Sequence, residues 1–127
     1  EGFRNQSELP SYYALADALV LPSSYGETWG LVVNEAMACG TPAIVSDAVG
    51  CSPDMVQEGT TGFTFPLGDV GTLADRMHIL QQRVRNGDSF QTALNEKTHQ
   101  HSPEVAAECT VAAIQSILHA PSATQSS

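Results

Sequence analysis

Apolar positions switch between two spacings along the chain, and each switch marks an element. Tyr13, Leu15, Ala16 and Leu19 follow helical spacing behind Ser7-Glu8-Leu9-Pro10. An acceptor side chain, an acid and an early proline form a start signal there, so a short helix is predicted over about Leu9 to Asp17. Ala18-Leu19-Val20-Leu21 is a continuous apolar run stopped by Pro22-Ser23-Ser24, which predicts a strand buried on both faces. Leu31 to Cys39 carries good helix formers and stops at Gly40, a left-handed cap, with Pro42 just beyond. Pro42-Ala43-Ile44-Val45-Ser46 predicts a second buried strand, followed by a polar loop from Asp47 to Ser52 and a short helix starting near Pro53. After the turn Glu58 to Gly62, Phe63-Thr64-Phe65 predicts a third strand. Asp69 or Thr72 can cap a helix through Leu73, Met77, Leu80 and Val84 to the breaker Asn86-Gly87. Two further helices are predicted at about Ser89 to His99 and Pro103 to His119.

Alternating strands and helices point to an α/β fold with a parallel sheet and flanking helices. A chain of 127 residues with 42% hydrophobic content is sized for a single core. The expected partition is one domain over residues 1–120 and a Ser-rich tail over 121–127 that is disordered. Three strands make a thinner sheet than the mean of roughly five or six, so more sheet is expected upstream. The start at Glu1, without a charged n-region or an apolar h-region, is expected of a segment cut from something longer.

The net charge of −9 changes the list of partners. Only Arg4, Arg76, Arg83, Arg85 and Lys97 are fixed cations, too few and too scattered for a nucleic-acid footprint. Cys39, Cys51 and Cys109 are odd in number and lack C-x-x-C spacing, which favours a reducing cytosol over a disulfide framework or a zinc site. His99 and His101 stand two apart, but no third ligand is near and both read as ordinary exposed histidines, so no metal site is expected. Cys39 reads as a small core residue on the buried face of its helix, and Tyr12 and Tyr13 read as packing groups.

The stretch Leu21 to Pro42, LPSSYGETWGLVVNEAMACGTP, concentrates the candidate chemistry. A strand that ends in such a loop and enters a helix presents the loop at the carboxyl edge of a parallel sheet, where open α/β proteins bind ligands. Free N–H groups near Gly30, Leu31 and Val32 would sit at the positive end of the helix dipole, so a diphosphate can dock there without a basic side chain. Glu27 lies in the loop and Glu35 about one turn inside the helix, two carboxylates that can flank one pocket and accept vicinal hydroxyls. Taken singly, each acid reads equally well as solvated surface and Trp29 as a core aromatic.

Taken together, these residues closely resemble the E-x7-E signature of retaining GT-B glycosyltransferases of family 4 (glycosyl transferases group 1), with Glu27 and Glu35 as the two acids. The likeness extends to Phe3-Arg4, to Leu9-Pro10 with Tyr12-Tyr13-Ala14 and Ala16-Asp17-Ala18, to Leu21-Pro22-Ser23 and to Glu35-Ala36-Met37-Ala38-Cys39-Gly40-Thr41-Pro42. It continues through Ala48-Val49-Gly50, Pro53, Val56, Gly59, Gly62 and Gly68-Asp69, covering roughly the first half of the chain. Cys51 stands where a second glycine is common, and Asp54 where glutamate is usual.

The resemblance implies an incomplete C-terminal, donor-binding half of a GT-B fold, with a Rossmann-like sheet. It implies glycosyl transfer from a nucleoside diphosphate sugar to an acceptor hydroxyl, with retention and with no metal or cofactor. On this resemblance Glu35 meets the ribose hydroxyls, Glu27 is the catalytic residue and contacts the donor sugar, and the backbone of Thr28, Trp29, Gly30 and Leu31 meets sugar and diphosphate. The acceptor, a sugar, glycan or lipid-linked sugar, would bind an N-terminal domain. The family's basic Arg/Lys pair has no counterpart here, so weak nucleotide binding and no transfer are expected of this polypeptide alone. A cytoplasmic location is expected, free or peripheral at the inner membrane surface. Two rivals stand beside this reading: a UDP-N-acetylglucosamine 2-epimerase of the same architecture, and a non-catalytic binding or regulatory domain that kept the fold.

Overall fold

The computed structural model describes residue 5, residues 7–24, residue 26 and residues 28–118. The elements follow as α1 (Leu9–Leu15), β1 (Leu19–Leu21), α2 (Leu31–Ala38), β2 (Ala43–Ser46), α3 (Ser52–Met55), β3 (Gly62–Phe65), α4 (Val70–Arg85), α5 (Gln91–Gln100) and α6 (Pro103–Leu118). The strands form one parallel sheet in the order β1-β2-β3, with Leu19 opposite Ala43 and Ala43 opposite Gly62. This is the α/β class that the alternation of strands and helices predicts, with helices on both faces.

β2 explains the layering. Its four residues are all buried, and successive side chains point to opposite faces. Ala43 and Val45 face a cluster with Val33 and Met37 of α2, Val49, Cys51, Met55, Phe90 and Leu94. Ile44 faces Phe63 and Phe65 of β3 and Leu80 of α4. Each cluster removes apolar surface from water at roughly 25 cal/mol per Å², so β2 joins the two layers.

β1 departs from the expectation of burial on both faces: Leu19, Val20 and Leu21 are all half-buried. Among the described residues it pairs only with β2, which covers one side of it and leaves its apolar run half-buried. No helix among the described residues is long and apolar enough to cross a membrane.

Helix ends follow local chemistry. Asp69 caps α4 by accepting from the Thr72 N–H at 2.9 Å, and the same contacts lower its carboxyl pKa. Gly40 follows α2 at φ +84°, as its C-terminal position predicts. The region after α4 is held by Arg83, which pairs with Asp88 at 2.7 Å, donates to the Gly59 carbonyl and lies over the Phe90 ring at 4.7 Å. Phe90 and Leu94 then seat α5 against the α2 side of the sheet.

Leu94 is fully buried. Leu94→Ala is expected to lower unfolding free energy by about 2–5 kcal/mol, whereas Val111→Ala, at an exposed position of α6, should change it by less than about 0.5 kcal/mol. Urea denaturation of the two variants checks the contrast; equal losses would contradict the assignment of Leu94 to the core.

Candidate functional site

Because the strands are parallel, Leu21, Ser46 and Phe65 deliver the following loops to one edge of the sheet. The loops after β1 and β2 are stitched together there. Ser46 donates its hydroxyl to the Ser23 carbonyl, and the Cys51 N–H donates to the Trp29 carbonyl at 2.9 Å. Gly50 lies so close to Thr28 that a Cβ would fall 1.8 Å from its carbonyl oxygen, a distance that only a glycine avoids. Val49 and Cys51 turn inward from the same loop and are buried.

That stitching fixes the start of α2. Gly30 is its N-cap at φ +86° and ψ +57°, and a side chain there would meet Val49 Cγ1 at 2.9 Å. No side chain among the described residues caps this end. The first amides of a helix have no intrahelical acceptor, so those of Leu31 and Val32 face the carboxyl edge of the sheet with the positive end of the dipole. Such an end receives an anion without a basic side chain.

Along α2, Val33, Ala36 and Met37 are buried, whereas Leu31, Glu35 and Ala38 are exposed. The exposed three recur at helical spacing and share a face, placing Glu35 about 6 Å along the axis from the first turn. α1 packs beside this face. The Tyr13 hydroxyl donates to Glu35 Oε2 at 3.2 Å, and the Tyr13 carbonyl accepts from Thr41 Oγ1. Leu9, Pro10, Tyr13, Glu35 and Ala38 line an open groove of about 350 Å³. Burial, then the nearby Glu35 carboxylate, push the Tyr13 phenol above its ordinary pKa, so it remains a donor at neutral pH. One carboxylate oxygen of Glu35 is thereby held while the side chain stays exposed to ligand.

Of the residues singled out from sequence, Thr28, Trp29, Gly30 and Leu31 form the turn into α2, and Glu35 lies one turn further on. Thr28 and Leu31 are exposed, Trp29 is half-buried against the core and Gly30 is buried. Glu27 and Arg4 lie outside the described residues, as do residues 121–127. Three expectations need correction. Tyr13 is a hydrogen-bond donor to Glu35 as well as a packing group, a pairing invisible without the α1–α2 contact. Cys39 is the half-buried C-cap of α2, because the helix ends one residue earlier than its composition suggests. His101 is half-buried against Trp29, with ring centroids 6.4 Å apart, because α5 ends beside the turn into α2.

A cavity of about 560 Å³ lies elsewhere, between β1 and α4, lined by Val20, Ile44, Ala74, Met77, Leu80 and neighbours. It is a mostly apolar gap beside the sheet edge, without the converging amides found at α2. Among the described residues no group of three His, Cys, Asp or Glu side chains could hold a metal ion.

Comparison with known proteins agrees with the α/β fold. The structure of sucrose-phosphate synthase from Thermosynechococcus elongatus superposes with a TM-score of 0.75 at 29% identity, over 95% of this chain and 30% of that one. The sulfoquinovosyl transferase of Arabidopsis thaliana is 38% identical over 97 residues, 74% of this chain and 19% of the relative. A D-inositol 3-phosphate glycosyltransferase of Streptomyces bingchenggensis is 43% identical over 75 residues, 59% of this chain and 16% of the relative. The chain thus spans less than a fifth of the length of these two curated relatives. Residues 1–90, from the opening residues through α4 to Phe90, match the family described as glycosyl transferases group 1, and the chain belongs to that family.

Proposed function

We propose that this chain binds the nucleoside diphosphate sugar in an enzyme that transfers the glycosyl group to an acceptor hydroxyl with retention of configuration. The observation that carries this reading is the uncapped N-terminus of α2, locked at the carboxyl edge of the sheet with Glu35 one turn behind it. Family membership and the transferase names of the relatives support it.

In this reading the amides at Gly30, Leu31 and Val32 take the diphosphate, and the helix dipole stabilises the charge that grows on it as the sugar leaves. Glu35 accepts the two ribose hydroxyls, with Tyr13 fixing the carboxylate plane. Glu27 contacts the donor sugar. The bond between the anomeric carbon and the diphosphate oxygen breaks, the acceptor oxygen bonds to the same face of that carbon, and the acceptor proton passes to the leaving diphosphate. Positioning and electrostatic stabilisation carry the rate, and an N-terminal domain of the longer protein supplies the acceptor. Backbone binding also suits a chain of net charge −9, since it needs no cluster of cations.

Glu35→Ala is expected to weaken binding of the matching nucleotide among UDP, GDP and ADP by about 1.5–3 kcal/mol, read by calorimetry. An unchanged affinity would remove Glu35 from the ribose site. Tyr13→Phe should weaken the same binding by about 0.5–1.5 kcal/mol while leaving affinity for pyrophosphate alone unchanged. Equal loss toward both ligands would show that Tyr13 acts on the fold rather than through Glu35. In the full-length enzyme, Glu27→Ala should spare free-nucleotide binding and lower turnover with the donor sugar; parallel losses in both would contradict the division between the two acids.

A further inference from the structure

Trp29 sits in the turn whose amides open α2, and its backbone and side chain are held from different directions. Its carbonyl accepts from the Cys51 N–H, and its indole packs on the cluster of Val33, Met37, Val49, Cys51 and Leu94. The His101 ring lies against the indole, with centroids 6.4 Å apart and planes at 42°. His101 is the C-cap of α5 and is itself fixed. Its Nδ1 is 3.0 Å from the Lys97 carbonyl; a carbonyl can only accept, so Nδ1 carries the proton and the ring is held in one orientation. Its backbone N–H donates to the Thr98 carbonyl, and α5 is anchored about two turns before His101 by the fully buried Leu94.

We propose that His101 is a positioning residue for the donor site: its imidazole seats Trp29 and thereby sets the turn Thr28-Trp29-Gly30 that aims the α2 amides. The inference rests on the donor-site reading and deepens it, because it assigns part of the site's geometry to α5, beyond the residues matched to the family. The turn needs such support. Thr28 and Leu31 on either side are exposed, so the side chain of Trp29 is the apolar anchor of this segment. A tilted aromatic pair fixes ring orientation more narrowly than aliphatic packing, because the ring quadrupoles favour offset geometries.

Trp29 is the only tryptophan of the 127-residue chain, so its fluorescence reports on this contact directly. Wild type, His101→Ala and His101→Phe are compared by acrylamide quenching of Trp29 and by calorimetry with UDP, GDP and ADP. His101→Ala should increase quencher access and weaken nucleotide affinity about threefold to tenfold, and His101→Phe, which keeps a ring against the indole, should restore both. Increased quenching with unchanged affinity overturns the positioning role, as does unchanged quenching. Failure of His101→Phe to restore affinity also overturns it. If wild type binds none of the three nucleotides, the donor-site reading itself falls and this inference falls with it. Should His101→Ala not fold, His101→Gln, whose amide can still donate to the Lys97 carbonyl without a ring, is judged by the same criteria as His101→Ala.

Discussion

Burial of β2 on both faces is the constraint on which the rest of the structure depends. Four consecutive residues without solvent require a layer on each side, and parallel pairing then sends the loops after all strands to one edge. Once β1 and β2 are adjacent, the loops that follow them leave side by side. Their contact is backbone to backbone, with Gly50 against the Thr28 carbonyl and Cys51 N–H on the Trp29 carbonyl. The core therefore determines where α2 begins, and the start of α2 is where the proposed donor site lies.

The same arrangement accounts for an acidic domain offered as an anion-binding one. Charge complementarity at the level of the whole chain is unfavourable at −9, so local dipoles must supply the attraction. In the proposed reading an uncapped helix end behind a glycine does so, with Glu35 about one turn further along the helix. Tyr13 then occupies one side of that carboxylate. Cys51 fills the core beneath this turn with a buried side chain and presents its N–H to the Trp29 carbonyl.

Much of this was legible along the chain because it is local. The apolar run of β2, the stop at Gly40 and the Asp69 cap each depend on a few neighbouring residues. The turn from Thr28 to Leu31 and its distance from Glu35 also follow from helix geometry. What escaped is non-local. The half-burial of β1 depends on what lies beside it, which composition does not encode. The Tyr13–Glu35 bond requires α1 to cross α2, and the Trp29–His101 contact requires α5 to end beside a loop far away in sequence. A tyrosine and a histidine look ordinary until packing supplies their neighbours.

The central claim is that the uncapped end of α2 receives the diphosphate of a sugar nucleotide. Backbone amide chemical shifts followed during titration with UDP, GDP and ADP test it most directly. The account predicts that the largest changes for the nucleotide that binds fall on Gly30, Leu31 and Val32, with a smaller group around Glu35 and Tyr13. Changes centred on Ala74, Met77 and His78 in the cavity beside β1, with residues 30–32 unmoved, would contradict it.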